Sequence, residues 1–290
     1  MSQQKTFIQW LLLSGRIALL SLAASLLGAC ALTPNKEEAK KQSDALLQSQ
    51  LQHVETQLKK PHAGPYKHIY LGSAQHSQSL VFQRDILAME SRLKTLNTNT
   101  VSILLNNQFE TQQLQFPFAT RPNLDRVFGR LSAWSHSHPL ALTMLVSTHG
   151  APDILSVNIG NQYYQPLRSA QLKSWLDKLH PRTKVTLLLS ACYSGSFVES
   201  LQGANRMILT AAASDRNSFG CHYHEKNTWF IEQLLGPHFS PHSTWDDVYM
   251  ATRSGIERQE QSQNLQPPSN PQIRGDERLR KMTLAEWFNH

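Results

Sequence analysis

Two apolar, strand-like runs end in residues that can do chemistry together. Leu142-Thr143-Met144-Leu145-Val146-Ser147-Thr148 delivers His149-Gly150, and Val185-Thr186-Leu187-Leu188-Leu189-Ser190 delivers Ala191-Cys192-Tyr193-Ser194-Gly195. A free thiol is only a few per cent thiolate at neutral pH. An imidazole within reach raises that fraction and later protonates a leaving amine. Gly150, lacking a side chain, would let a backbone N–H approach a tetrahedral oxyanion, with the Cys192 N–H as the second donor. Gly195 is expected to permit the sharp turn into the next helix. Taken singly, a cysteine at a strand end is more often an inert core residue and a His-Gly pair an ordinary loop. Two such signals, each closing an apolar strand, point to nucleophilic thiol catalysis.

For that chemistry the two strands must be neighbours. In an open α/β sheet, ligands bind beyond the carboxyl ends of the strands. The segment between His149 and Cys192 exceeds the dozen or so residues that a parallel crossover needs. Adjacent strands lie about 4.8 Å apart, close enough for the two side chains to meet at the mouth of the sheet. The pattern from Tyr66 onward predicts strands over Lys67–Leu71, Val101–Leu105, Leu140–Ser147, Lys184–Ser190 and Arg206–Ala211. Helical patterns fall near Ser77–Thr95, Asn123–His136, Ser169–Leu179 and Phe197–Gln202, with further helices over Asn227–Leu235 and Thr244–Gln259. Such alternation predicts an α/β fold, a mostly parallel sheet covered by helices on both faces. Asn158–Gln162, between Ser156-Val157 and Tyr163-Tyr164, reads as a tight hairpin turn off the sheet. Gln261–Gly275, rich in proline and polar residues, is expected to run over the surface.

With these motifs in place, the chain resembles the legumain-type (C13) family of cysteine peptidases, within the caspase-like group. Strand–His-Gly followed by strand–Ala-Cys-Tyr-Ser-Gly-Ser carries the resemblance. So do Tyr70-Leu71-Gly72-Ser73, Leu105-Asn106-Asn107, Ala119–Leu124 and Thr210–Cys221, and together they span roughly residues 66–275. The resemblance implies a caspase-like three-layer α/β/α sandwich, a nucleophile at Cys192 and a general base and acid at His149, acting on peptides or proteins without a cofactor. It further implies a pocket wall over Ser218–Glu225, so Ser218, Cys221 and Glu232 are the candidate pocket residues, with Asp215 and Arg216 nearby. Legumains carry an asparagine after the first strand that orients the histidine. Here Gly72-Ser73-Ala74-Gln75-His76-Ser77 has none, and Ser73 and Gln75 are the substitutes considered. The alternatives within this reading are a transpeptidase of the same fold and a caspase-like binding lipoprotein without turnover.

Outside the motifs, the first 29 residues read as a targeting segment: Lys5, then Arg16, then the apolar Ile17–Leu27, closed by Leu27-Gly28-Ala29-Cys30. The apolar stretch is short for a spanning helix. Its end resembles a bacterial lipobox, which implies lipid on Cys30, and Ala31 in place of a retention aspartate favours the outer membrane, facing the periplasm. The domain expectation is therefore 1–29 signal peptide, 30–65 lipidated tether or helix, and 66–290 peptidase domain. Leu46, Leu47, Leu51, Val54 and Leu58 stand at helical spacing within the tether and are expected to dock onto the body. The net charge of +7 is spread along the chain. No dense basic helix or zinc spacing accompanies it, so nucleic acid is not an expected partner. His222-x-His224 beside Cys221 lacks the paired spacing of a structural zinc site, and His136-x-His138 is weaker still, so no metal is expected. With three cysteines, one of them assigned to lipid, no disulfide framework is expected.

Overall fold

The computed structural model describes residues 36–62, 64–109 and 113–289. The expected leader and Cys30 lie outside the described residues. Among those described, no helix is long and apolar enough to cross a membrane.

The described chain opens with α1 (Lys36–Leu58), whose buried Ala39, Ser43, Leu47, Leu51, Val54 and Leu58 recur every three or four residues. That period places them on one helical face, and the face docks on the body, as the spacing of its leucines predicts. There follow β1 (Lys67–Ala74), α2 (Val81–Leu96), β2 (Val101–Asn106), α3 (Arg121–Ser137) and β3 (Leu140–Ser147). Two small hairpins, β4 (Gly150–Ala151) with β5 (Ile154–Leu155) and β6 (Asn158–Ile159) with β7 (Gln162–Tyr163), precede α4 (Ser169–Leu176). Then come β8 (Lys184–Ser190), a 3₁₀ turn over Ser194–Phe197, α5 (Val198–Leu201), β9 (Arg206–Thr210), α6 (Trp229–Leu234) and α7 (Trp245–Ser262). The chain closes with β10 (Gln272–Arg274), α8 (Glu277–Arg280) and α9 (Leu284–Asn289).

The main sheet runs β10-β9-β8-β3-β1-β2, parallel except for β10, which is antiparallel to β9. One apolar layer joins α1, α3, α4 and α5 to the sheet through Leu47, Leu124, Leu172, Leu201, Val146 and Leu189. The other joins α2, α6, α7 and α9 through Phe82, Phe230, Val248, Trp287, Leu145 and Leu188. Consecutive strand residues thus feed opposite layers, the period-two signature of a sheet covered on both sides. This is the three-layer α/β/α sandwich with a mostly parallel sheet that the alternation predicts.

At the β2 edge, α1 does more than cover apolar surface. Gln50 donates from Nε2 to the Leu104 carbonyl at 3.1 Å and accepts the Leu104 N–H at 2.9 Å. One side-chain amide thereby stands in for the missing neighbouring strand. Arg126–Asp44 and Arg130–Glu55 ion pairs flank the seam.

Three departures from the sequence reading have physical causes. β1 continues past Leu71 to Ala74 because both of its neighbours do: Gly72, Ser73 and Ala74 pair with β2 and with β3. In the segment expected to run over the surface, Gln272–Arg274 instead adds a strand, paired with Ile208–Thr210. The hairpin near Gly160 is tighter than expected: Asn158-Ile159 and Gln162-Tyr163 pair directly, and only Gly160-Asn161 form the turn.

Candidate active site

β3 and β8 are neighbouring parallel strands, and Ser147 stands opposite Ser190 in their register. Past these two serines the chains advance by the same number of residues to His149 and Cys192. Leu145 and Leu188 face the α2 side of the sheet and Val146 and Leu189 the other. Alternation then puts Ser147 and Ser190 on the α2 side. His149 follows suit, since its ring lies 5.0 Å from that of Phe82 in the first turn of α2.

The thiol of Cys192 is half-buried and free. Among the described residues its sulfur is held by Ser218: the Ser218 N–H donates to it at 3.3 Å, the Ser218 hydroxyl points at it from 3.6 Å, and the thiol faces the Ser218 carbonyl at 3.5 Å. The cysteine is presented by a strained turn. Tyr193 has φ 56°, in the left-handed region that non-glycine residues rarely enter. Two backbone bonds hold it there, Tyr193 N–H to the Arg216 carbonyl at 2.7 Å and Gly195 N–H to the Ala212 carbonyl at 2.9 Å. The sharp turn is therefore made at Tyr193 and not at Gly195. Gly195 serves close approach instead: a Cβ there would sit 2.6 Å from the Ser214 nitrogen.

Gly150 meets a stricter limit. A Cβ at this position would lie 2.2 Å from the Cys192 carbonyl oxygen, so only glycine lets the two chains come this close. Hydrogen bonds alternate along an antiparallel ladder. In the β4–β5 hairpin Ser156 donates to the His149 carbonyl at 2.9 Å, and the Leu155 N–H is spent on Leu167. Gly150, which stands opposite Leu155, therefore directs its N–H away from β5. The Cys192 N–H has no hydrogen-bond partner among the described residues. Asp153 N–H donates to Ser196 Oγ at 2.9 Å, and that hydroxyl donates to the Tyr193 carbonyl at 2.6 Å, which fastens the hairpin to the cysteine turn.

Burial, and after it the charge of His222, push His149 below the usual imidazole range, which leaves it neutral and able to accept a proton near pH 7. It makes no hydrogen bond to Cys192; such contacts are often long before substrate binds. Its ring lies edge-on to His76, with centroids 4.6 Å apart. His76 itself falls to about 4, through burial and the neighbouring His149. Ser73 and Gln75 are the residues that the sequence offers for this position. Both are buried, but Gln75 donates to Ser73 and its backbone is tied to Ser147 and Asn158, so it is His76 that reaches His149. The clue in the sequence is topological: His76 follows the strand next to β3.

Of the candidate pocket residues, Ser218 touches the sulfur and Cys221 is near it. The Cys221 thiol is raised by burial and by the charge of Cys192, and it too is free. Glu232 is not brought to the pair. It lies on the exposed side of α6, whose Trp229, Phe230, Ile231 and Leu234 face inward, and accepts a hydrogen bond from Gln259 of α7. Asp215 and Arg216 pair with each other, and Arg216 serves the site through its backbone carbonyl. No cluster of three or more potential metal ligands occurs among the described residues.

Residues 141–263, which contain both strand ends and the Ser218–Glu225 segment, match the family model described as the Peptidase C13 family. Among solved structures, the crystal structure of caspase-1 from Spodoptera frugiperda is similar to this chain. It has a TM-score of 0.53 at 14% identity, covering 74% of this chain and 88% of that one. No curated protein matches the sequence. The fold is caspase-like, and the family match supports a cysteine peptidase of the C13 kind.

Proposed function

We propose that this protein is a lipid-anchored cysteine endopeptidase of the legumain type that hydrolyses peptide bonds through Cys192 and His149. The observation that carries the reading is the pairing of Ser147 with Ser190. It sets a histidine and a cysteine two residues beyond adjacent strand ends, with Gly150 against the Cys192 carbonyl. In this mechanism His149 accepts the thiol proton and the sulfur attacks the carbonyl carbon of the scissile bond. The developing oxyanion is met by the N–H groups of Gly150, turned away from β5, and of Cys192, which has no other partner among the described residues. His149 then gives its proton to the leaving amine, and an acyl-thioester remains on Cys192. Water, deprotonated by His149, releases the acid and restores the thiol. Ser218 holds the sulfur between turnovers. Cys30, lipidated after removal of the leader, would keep the enzyme on the outer membrane, with α1 docked on the body close behind the anchor.

The test is cleavage of a peptide library by the full-length protein. The expected result is turnover that Cys192→Ala abolishes and that Cys192→Ser does not rescue. Near wild-type turnover in Cys192→Ser overturns the thiol mechanism. For the anchor, the intact mass of the membrane-extracted protein should correspond to an acylated amino terminus at Cys30. An uncleaved leader on the purified protein overturns that part.

A further inference from the structure

Beneath the two strand ends lies a carboxylate that the mechanism above does not use. Asp85, one turn into α2, is fully buried, and it gathers four hydrogen bonds from two other segments, the end of β3 and Asn227-Thr228. Ser147 Oγ donates to Oδ2 at 2.7 Å, Thr228 Oγ1 meets Oδ2 at 2.8 Å, and Asn227 Nδ2 and the Thr228 N–H donate to Oδ1 at 3.0 Å each. Thr228 Oγ1 in turn lies 2.8 Å from Ser190 Oγ. Ser147 and Ser190 are the register partners that close β3 and β8. Asn227 and Thr228 end the stretch that runs from the Ser218–Glu225 wall into α6. Arg84, the residue before Asp85, donates to the Glu225 carbonyl at 2.9 Å and ties the far end of the same wall to α2.

A carboxylate in such a place is costly. Burial pushes Asp85 up to about 7, and among the described residues the groups that favour its charged form are the Ser147, Asn227 and Thr228 donors, none of them a cation. Apolar residues could fill such a site at no greater cost. What an apolar cluster could not do is fix three segments in one register, because hydrogen bonds are directional and burial of apolar surface is not.

We infer that Asp85 is a positioning residue: through Ser147, and through Thr228 to Ser190, it locks the carboxyl ends of β3 and β8 together and so fixes the separation and orientation of His149 and Cys192. The inference rests on the reading of these two as the catalytic pair. Asp85 touches neither of them. Its effect belongs on the chemical step and on the coupling of the pair, not on substrate affinity, since a displacement of about 1 Å at reacting groups can cost about 100-fold in rate.

The test uses the full-length protein carrying Asp85→Asn, Thr228→Val or Thr228→Ser, each with and without His149→Ala. Valine keeps the shape of threonine and its backbone bond to Asp85 Oδ1 but removes the hydroxyl that joins Asp85 Oδ2 to Ser190; serine keeps the hydroxyl. Two readouts are taken at pH 7: kcat and KM on a cleaved peptide, and the rate at which iodoacetamide alkylates Cys192, followed by mass spectrometry of its peptide. Expected for Thr228→Val and Asp85→Asn is a fall in kcat of about 10- to 100-fold with KM within about threefold, and alkylation that no longer responds to His149→Ala. Thr228→Ser should behave as wild type. If Asp85→Asn does not fold, the valine and serine pair decides. The inference fails if alkylation in Thr228→Val depends on His149 as strongly as in wild type, if the loss appears in KM, or if serine fares no better than valine. If His149→Ala leaves alkylation unchanged in the wild-type protein, the catalytic reading itself fails and the inference falls with it.

Discussion

β1 carries a buried histidine at each end, and the two have opposite surroundings. His68, at its start, is 1% exposed, and both ring nitrogens are engaged, by Thr100 Oγ1 at 2.8 Å and Thr143 Oγ1 at 2.9 Å. Its ring rests on Phe288 and its pKa falls to about 3 through burial alone. At the other end, His76 lies against His149, whose ring nitrogens have no hydrogen-bond partner among the described residues. Both ends hold imidazole neutral. Only the carboxyl end keeps hydrogen-bonding capacity in reserve, which a proton in transit requires. Burial alone therefore does not mark a working histidine; burial with an unspent nitrogen, at the strand end where ligands bind, does.

The sharpest way to break this comparison is to exchange the losses. His149→Ala should lower peptide turnover by on the order of 1,000-fold, the range general acid–base catalysis supplies, with an unchanged urea midpoint. His68→Ala should do the reverse. Leaving the buried Thr143 hydroxyl without its His68 partner should cost about 1–3 kcal/mol of stability, while the folded enzyme keeps its kcat. Equal effects on both quantities at both positions would erase the distinction.

A smaller effect, in pH, sharpens it. His68 and His76 have folded pKa values near 3 and 4, below the ordinary 6.5, so the unfolded chain binds more protons. Their contribution is full above about pH 6.5 and is lost as the pH falls, each group adding a slope of up to about 1.4 kcal/mol per pH unit. Asp85, raised to about 7, works the other way, because its folded form holds its proton until the pH reaches that value. Urea unfolding between pH 4 and pH 6.5 should therefore give a shallower pH slope in His68→Asn and a steeper one in Asp85→Asn. A slope that neither substitution moves would rule out these groups as its source.

The smallest effect belongs to the rim. Tyr163, 66% exposed on β7, has its ring 6.0 Å from that of His76. Tyr163→Ala should raise KM about two- to fivefold and leave kcat within twofold, the scale of one aromatic contact. A kcat loss as large as that of His149→Ala would move Tyr163 from the rim into the chemistry.

The sequence made the two strand ends legible because each closes an apolar run long enough to be a doubly covered strand, and because Gly150 and Cys192 follow at once. His76 was hidden in Gly72-Ser73-Ala74-Gln75, a run too small and polar to look like strand; it is extended only because β2 and β3 flank it. Asp85 stands between Arg84 and Ile86 in a helix with Glu90 and Arg92, and reads there as one more solvated charge. Its partners lie far away in the chain, and only tertiary structure brings them together. β10 owes its existence to the free edge of β9, not to its own Gln272-Ile273-Arg274. α9 is short, and its Trp287 and Phe288 are buried by packing against distant elements, among them Thr186 of β8, which accepts the indole N–H at 2.7 Å.

The Gln50 amide that pairs with Leu104 has a practical corollary for anyone trimming this protein to a soluble form. A cut at Tyr66, where the α/β alternation begins, would remove α1 and leave the backbone of β2 unpaired beside the apolar bed that Leu47, Val54 and Leu58 had filled. A bare strand edge next to exposed apolar surface is a template for the next chain to add to. A soluble form should therefore keep α1, and a preparation that starts after it is expected to self-associate.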